Sequence, residues 1–375
     1  MNLRLRRCGA QVSVLVAVLA GTPLTARLLA QSVEAPPSYL EEDVSYANGA
    51  GISLAGTLTL PAGTGPFPAV VLVAGAGPQT REYVVAGHAL YRDLAVSLAL
   101  RGLAVLRADK RGVGRSAGSY EQATLADFAD DAEAAVAYLA MRKEIDPRHI
   151  GLLGHDEGGV VAPMVASRSN PNFLVIIAGD TFNGEDTLLL KSRLTAKAAG
   201  LSEVAIDQNA ELQERAFAIV RQKDRAAAEG QLADLYDRDP AAQLLSPAER
   251  EAAVQFLTSP WMRFFLDYDP APALANVRCP IRALYGQKDL EVPADPNYDQ
   301  LGKILAGRNH DFALTTHPGM NHLFQRAKIG LPDEYAALTE PLPPSVVDDI
   351  ATWILFHTAP KPAPSPRAGS HHPRG

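Results

Sequence analysis

One short turn carries the residues best suited to chemistry, and its sequence is Gly154-His155-Asp156-Glu157-Gly158-Gly159. It directly follows an apolar strand predicted over residues 150–153 and directly precedes a helix predicted over residues 158–166. Glycines two positions before and two positions after Asp156 allow a tight bend from strand to helix, which forces the central side chain outward. The N-terminus of the following helix also favours a negative charge. We therefore expect the Asp156 carboxylate to lie at the centre of a catalytic turn.

Further motifs accompany this turn between residues 54 and 356. They are Ala74-Gly75-Ala76-Gly77-Pro78-Gln79, Asp109-Lys110-Arg111-Gly112-Val113-Gly114-Arg115-Ser116, Ser259-Pro260-Trp261, Tyr285-Gly286-Gln287-Lys288-Asp289 and Pro318-Gly319-Met320-Asn321-His322-Leu323-Phe324. In this combination the chain resembles the α/β-hydrolase family, and within it the exported bacterial esterases. The resemblance implies an α/β-hydrolase fold, with a mostly parallel central sheet flanked by helices, and hydrolase activity. In the second motif we expect Asp109 and Arg111 to hold the loop beside the active site.

The resemblance also implies a catalytic triad whose acid and base lie late in the chain. It places the acid at Asp289, just beyond a strand predicted over residues 281–285, and the base at His322, in the loop after a strand predicted over residues 311–315. The order nucleophile, acid, histidine is the one this fold uses. An imidazole moves protons, and a buried carboxylate holds its tautomer and offsets the charge that it gains. We expect Asp289 and His322 to meet Asp156.

Two backbone N–H groups are expected to form the oxyanion hole of this site. One belongs to Glu157, and the other belongs to Ala76, in the loop after a strand predicted over residues 69–73. The glycines around Ala76 permit a substrate to approach the backbone closely. The loop lacks the lysine and the spacing of nucleotide-binding loops, so we predict no nucleotide and no other cofactor.

Asp156 departs from the esterase pattern at its most consequential position, because esterases present serine there. Three hypotheses remain open. The first is a hydrolase of small carboxylic esters or lactones, which the other motifs favour. The second is a hydrolase that acts at saturated carbon, on an epoxide or a halide, through an alkyl ester on Asp156. Epoxide hydrolases and haloalkane dehalogenases of this fold resemble it in that respect, although they commonly follow the aspartate with tryptophan or arginine rather than with glutamate. The third is a catalytically silent binding protein.

The elements that must position these residues alternate along the chain. Apolar strand-like runs are predicted at residues 52–60, 69–73, 103–106, 150–153 and 174–177, and helices at residues 88–100, 125–141 and 158–166. Strands that alternate with helices in this way form a mostly parallel sheet through crossover connections.

This alternation stops at about residue 185 and resumes after residue 275. Helical patterns occupy the interval, including residues 188–199 and 204–229, and a closing helix is predicted at residues 345–356. We therefore predict one hydrolase core, over residues 46–184 and 276–358, that is interrupted by a helical cap insertion over residues 185–275.

The two ends of the chain differ from this core. Three arginines within the first seven residues precede an apolar run at residues 12–20, which is typical of a secretory signal and too short for the roughly 20 residues of a membrane span. We expect residues 1–30 to be a signal peptide, cleaved near Gln31, and the protein to be periplasmic or secreted without stable membrane insertion. Residues 31–45 then form a polar leader, and the proline-rich residues 359–375 form a disordered tail.

The composition excludes several classes of protein. Of the 375 residues, 47% are hydrophobic and 21% are charged, which is ordinary for a globular protein. The formal net charge is -7 and basic residues are not clustered in the core, so we predict a small-molecule substrate and no nucleic-acid partner. No metal-ligand spacing and no sign of an oligomeric state are present. Of the two cysteines, Cys8 lies in the signal and Cys279 is expected to be a buried structural thiol.

Overall fold

An eight-stranded sheet lies at the centre of the computed structural model, which describes residues 38–240, 242–338 and 340–359. The strands are β1 (Tyr39–Ala47), β2 (Ser53–Pro61), β3 (Phe67–Val73), β4 (Val84–Val85), β5 (His88–Ala89), β6 (Ala104–Ala108), β7 (Ile145–His155), β8 (Leu174–Ile177), β9 (Ile281–Gly286) and β10 (Phe312–His317). The spatial order in the sheet is β1-β2-β6-β3-β7-β8-β9-β10, while β4 and β5 pair only with each other. β2 runs antiparallel to both of its neighbours, and every other neighbouring pair is parallel. The predicted mostly parallel sheet is confirmed.

Helices flank this sheet and form the connections between its strands. They are α1 (Leu90–Ala99), α2 (Leu125–Ala140), α3 (Glu157–Ser169), α4 (Gly184–Ala198), α5 (Glu203–Val220), α6 (Arg225–Arg238), α7 (Pro247–Leu257), α8 (Pro260–Asp267), α9 (Ala271–Asn276), α10 (Ala294–Leu305) and α11 (Pro344–Thr358). The central strands β8 and β9 are buried along their whole length, as strands covered on both faces must be. Their apolar runs are therefore continuous, which is why the sequence shows them without a polar alternation.

The helical insertion lies between β8 and β9 and consists of α4–α8. The sequence predicts a helical pattern over residues 204–229, and the structure divides that pattern into α5 and α6. Asp224 causes the division, because its side chain accepts a hydrogen bond from the Ala227 N–H and so starts a new helix. We use the term cap for residues 184–267.

The antiparallel edge of the sheet differs from the sequence prediction. Residues 31–45 were expected to form a polar leader, but β1 begins at Tyr39 and pairs with β2 along nine residues. Acidic side chains of β1 bind arginines of the core, as Glu41 does with Arg107 and Glu42 with Arg142. These ion pairs account for a polar sequence in a strand.

The predicted signal peptide and leader up to residue 37, and the tail from residue 360, lie outside the described residues. Within the described residues, no helix is long and apolar enough to cross a membrane. Cys279 is buried, as predicted, and has no disulfide partner among them.

Candidate active site

The turn between β7 and α3 holds Asp156 in a backbone conformation that residues other than glycine rarely adopt. Asp156 has a φ of 55° and a ψ of -120° and is followed at once by the first turn of α3. The flanking glycines make this bend sterically possible. A Cβ atom on Gly154 would lie 2.0 Å from the Gly158 carbonyl oxygen, and one on Gly158 would lie 2.0 Å from the Val73 carbonyl oxygen. The predicted need for both glycines therefore has a direct steric cause.

The two oxygens of the Asp156 carboxylate have different partners. Oδ2 accepts a hydrogen bond of 2.7 Å from the backbone N–H of Ala76, in the loop after β3. Oδ1 lies 3.9 Å from Nε2 of His322, which is too long for a hydrogen bond. The Asp156 side chain remains 19% exposed, whereas His322 beside it is buried.

The histidine and the acid form a buried pair beside this carboxylate. His322 Nδ1 and Asp289 Oδ2 are 2.9 Å apart. The other oxygen of Asp289 accepts hydrogen bonds of 2.8 Å from the backbone N–H groups of Glu291 and Val292. Asp289 therefore fixes the orientation of the imidazole and leaves Nε2 directed toward Asp156. The structure brings together all three residues that the sequence predicted.

The charges at this site are set by burial and by the neighbouring groups. Burial alone would raise the pKa of Asp156, but His322, His155 and the Ala76 N–H together lower it, so the carboxylate is ionised. Burial alone would lower the pKa of His322, but the charges of Asp289, Glu291 and Asp156 raise it to about 10. At neutral pH the site therefore contains an imidazolium beside the Asp156 carboxylate.

Two N–H groups are expected to form the oxyanion hole. One already donates a hydrogen bond, and the other lies at a helix N-terminus. Ala76 donates to Asp156 itself, as described above. Glu157 is the first residue of α3, so its N–H has no acceptor within the helix. A tyrosine supports the loop that carries Ala76, because the hydroxyl of Tyr91 accepts a hydrogen bond of 2.8 Å from the Gly75 N–H. Gly75 must be glycine, since a Cβ atom there would lie 2.8 Å from Asp156 Oδ2.

The site and the sheet match one large family. The sequence model of the alpha/beta hydrolase family matches residues 70–338, which is well over half of the chain. The chain belongs to the α/β-hydrolase family. Esterase EstD of Thermotoga maritima is 26% identical to it over 326 residues, which are 85% of this chain and 68% of that protein.

Solved structures of other proteins share the fold. DcsB is 17% identical with a TM-score of 0.54, and the match covers 86% of this chain and 100% of that one. The hydrolase GrgF from Penicillium sp. sh18 is 16% identical with a TM-score of 0.53, and the match covers 85% and 99% of the two chains. At these identities the likeness shows the fold alone.

This α/β-hydrolase has further ionisable groups at the site that the sequence did not predict. Lys191, on α4 of the cap, forms an ion pair of 2.9 Å with Glu291, which also accepts a hydrogen bond of 2.9 Å from the hydroxyl of Tyr335. Asp180 is buried just after β8, and burial together with the charge of Asp156 raises its pKa well above the ordinary value. Asp180 follows β8 at the sheet edge where Asp156 follows the neighbouring β7. That position was the available signal, because parallel strands present their carboxyl ends at one edge.

The loop that begins at Asp109 is held by Asp109 and Arg111, each through its own partners. Asp109 accepts a hydrogen bond from the Arg115 N–H of the loop and forms an ion pair with Arg81, in which Nη2 and Oδ2 are 2.7 Å apart. Arg111 extends to α2, where it forms ion pairs of 2.7 Å with Asp127 and Asp131. Arg81 was not recognised from the sequence, because its partner lies 28 residues away along the chain.

Proposed function

We propose that this α/β-hydrolase acts at a saturated carbon through an ester formed on Asp156. The observation that supports the proposal is that the two oxygens of the Asp156 carboxylate have different contacts. Oδ2 accepts the hydrogen bond of the Ala76 N–H, while Oδ1 faces the His322 side and has no hydrogen bond of its own to that imidazole. A carboxylate held in this way has one fixed oxygen and one oxygen available for attack.

In the first step, Oδ1 of Asp156 forms a bond to the saturated carbon. The bond between that carbon and the leaving oxygen breaks, and the leaving oxygen keeps the electron pair and takes a proton. Tyr83 is a suitable donor of that proton. Tyr83 is within electrostatic reach of Asp156, because burial and then the charges of Asp156 and Glu291 raise the pKa of Tyr83, and its hydroxyl is protonated at neutral pH.

In the second step, water attacks Cγ of the Asp156 ester. His322 takes one proton from the water, and the negative charge develops on Oδ2, where Ala76 already donates. The bond between Cγ and the alkyl oxygen then breaks, and that oxygen receives the proton from His322. The product is an alcohol, and the proton of the restored carboxyl returns to Tyr83. Alkylation removes one of the negative charges that raise the pKa of His322, so the imidazolium more readily releases its proton to solvent, and the neutral imidazole then acts as the base.

The leaving atom in this proposal is oxygen rather than a halide, as in an epoxide. Trp261 is the tryptophan close to the turn, and its indole N–H already donates to the Glu157 side chain. It is therefore not free to hold a leaving halide. Tyr83, by contrast, offers a proton that suits a leaving oxygen.

Hydrolysis of carboxylic esters or lactones is the second candidate function, because esterase EstD is 26% identical over most of the chain. Attack by Asp156 on an acyl carbon would give a mixed anhydride. It would also require the substrate oxygen to compete with Asp156 Oδ2 for the Ala76 N–H. The silent-binding hypothesis has less support, since the His322 and Asp289 pair that a binding protein would not need is complete. We also propose export, on the strength of residues 1–30.

Trapping of the covalent intermediate tests the proposal. The His322→Ala protein is incubated with a panel of small epoxides, such as styrene oxide, and is analysed by intact-protein mass spectrometry. We expect attack without hydrolysis, so an adduct of the mass of the epoxide accumulates on Asp156. The matched Asp156→Asn/His322→Ala protein is expected to show none. Equal labelling of both proteins would refute the proposal.

A further inference from the structure

A chain of hydrogen bonds connects both sides of the oxyanion hole to the cap. Lys110 Nζ donates to the Gly75 carbonyl oxygen and to Glu157 Oε1, each at 2.6 Å. The other carboxylate oxygen of Glu157, Oε2, accepts a hydrogen bond from the indole N–H of Trp261 on α8. We call Lys110, Glu157 and Trp261 the bracket.

The bracket contains a buried ion pair that the proposed reaction does not use. Lys110 is 9% exposed and Glu157 is 4% exposed, so both charges have lost most of their water. The Lys110 ammonium also lies 4.3 Å from the centre of the Phe128 ring, a further contact for a buried cation. A buried ion pair adds little net stability compared with apolar residues of the same size. The pair therefore calls for an explanation beyond the stability of the fold.

The positions of the two acceptors provide that explanation. Gly75 immediately precedes Ala76, and Glu157 immediately follows Asp156 and is itself the other expected donor. Lys110 thus contacts both segments that carry the oxyanion donors, from a third loop that belongs to neither. Its two hydrogen bonds restrain the separation of these segments at a point where the loop after β3 has glycine on each side of Ala76.

The cap enters this arrangement through Trp261. Its ring stacks on Phe265 of the same helix with centroids 4.8 Å apart and on Phe256 of α7 with centroids 5.9 Å apart. The indole N–H is therefore held by cap residues, and its acceptor belongs to the core turn. Displacement of α8 would remove one of the hydrogen bonds that hold the Glu157 carboxylate.

We propose that Lys110 and Glu157 are positioning residues that keep the two oxyanion donors, the N–H groups of Ala76 and Glu157, at a fixed separation. Through Trp261, this separation depends on the docked cap. The proposal takes Ala76 and Glu157 as the oxyanion donors, and it rests on the proposed function only for Ala76. It concerns no particular substrate. In this proposal, neither Lys110 nor Trp261 contacts the reacting oxygen of Asp156.

Amide hydrogen exchange tests whether the bracket restrains the Ala76 and Glu157 segments while Asp156 is left unaltered. Lys110→Met keeps the length of the side chain but removes its donors, and Trp261→Phe removes the indole N–H but keeps an aromatic ring on Phe265. We expect both to accelerate amide exchange in peptides that contain Ala76 and Glu157. Trp353→Phe on α11 and Lys303→Met, an exposed lysine on α10, are matched controls that should leave these peptides unchanged. Unchanged exchange in both bracket variants would overturn the proposal.

The function of the bracket is measured in the Asp156→Ser background with a fluorophosphonate probe, whose attachment at position 156 requires the oxyanion hole. We expect Lys110→Met to slow labelling by about tenfold or more, Trp261→Phe to slow it less, and both to lower kcat for an activated ester more than they raise KM. Lys110→Arg should restore part of the rate. Circular dichroism verifies that each variant is folded. If Lys110→Met does not fold, the labelling rate of Trp261→Phe decides the test.

Two outcomes separate this inference from the proposed function. Normal labelling that the bracket variants slow, together with no epoxide adduct in the His322→Ala protein, would reject the alkyl-ester reaction and leave the bracket standing. Labelling that neither bracket variant slows, or no labelling of the Asp156→Ser protein at all, would refute the bracket, because the donors would then not be held for an oxyanion.

Discussion

Asp156 and His322 have opposite charges at neutral pH, and this pairing explains much of the site's electrostatics. Each charge favours the charged form of the other, and Asp289 reinforces the imidazolium. The pKa of His322, about 10, exceeds its ordinary value of 6.5, so the folded protein binds this proton more tightly than the unfolded chain does. The stabilisation from His322 is therefore complete below pH 6.5 and is lost as the pH rises through about 10.

Removal of the Asp156 charge should lower the pKa of His322. In the Asp156→Asn protein we expect a decrease in the pKa of His322, smaller than the loss of the Asp289 charge would cause, since Asp289 contributes more to the raised pKa than Asp156 does. NMR titration of the histidine ring protons measures this change. Asp130→Asn is the control, because Asp130 pairs with Arg168 on the surface and should leave His322 unaffected. An unchanged pKa in Asp156→Asn would mean that the two residues are not coupled.

Substitution of serine at position 156 should create an ordinary esterase. A serine there would meet the pair of His322 and Asp289 and would free the Ala76 N–H for a substrate oxygen. We expect Asp156→Ser to hydrolyse p-nitrophenyl acetate at least about 100-fold faster than the parent, a gain typical of one restored catalytic group. The double variant Asp156→Ser/His322→Ala should lose the gain. No increase in rate would show that the triad geometry is unsuited to acyl transfer.

At the scale of elements, the sequence predicts best where local geometry decides the structure. The turn at Asp156 was predictable because only glycine fits at positions 154 and 158. The closeness of Asp289 and His322 to Asp156 was expected from the resemblance to α/β-hydrolases rather than from local geometry. The break between α5 and α6 was not, since one cap by Asp224 interrupts a continuous helical periodicity. Strand β1 was missed because its acidic side chains find arginine partners that lie far away along the chain.

The steric role of Gly158 can be compared with that of a glycine in open space. Gly158→Ala places a Cβ atom 2.0 Å from the Val73 carbonyl oxygen, and we expect it to lower the free energy of unfolding by about 3 kcal/mol or more. Gly230→Ala, in the interior of α6, has nothing within 4 Å of the added atom. It should raise that free energy by about 0.5–1 kcal/mol. Chemical denaturation decides, and equal effects of the two variants would disprove the steric account.

At the scale of the whole molecule, the mostly parallel sheet with a helical insertion was predicted correctly because the alternation of strands and helices, and its interruption, follow from hydrophobic periodicity. The contacts between distant parts were not predictable. Examples are the ion pair of Lys191 with Glu291 and the hydrogen bond of Trp261 to Glu157, which join the cap to the core. Neither has a local sequence signature, since each depends on how α4 and α8 are placed over the sheet.

Export of the chain is a prediction at this scale, because it concerns where the folded core functions. When the full chain is expressed in a bacterium with a periplasm, we expect the protein in the periplasmic fraction with an N-terminus near Gln31. N-terminal sequencing of the fractionated protein measures this. Replacement of the three arginines at positions 4, 6 and 7 by glutamate should leave the chain unprocessed in the cytoplasm. Cytoplasmic protein that begins at Met1 in the unaltered chain would contradict the prediction.

The central claim is that water attacks an ester of Asp156 rather than the substrate itself, and a single turnover in H₂¹⁸O tests it most directly. With enzyme in excess over an epoxide that it opens, the proposed route transfers an unlabelled Asp156 oxygen to the product and places the water oxygen on Asp156. We therefore predict a gain of two mass units in the peptide that contains Asp156, together with an unlabelled alcohol. A labelled alcohol and an unlabelled Asp156 peptide would contradict the account.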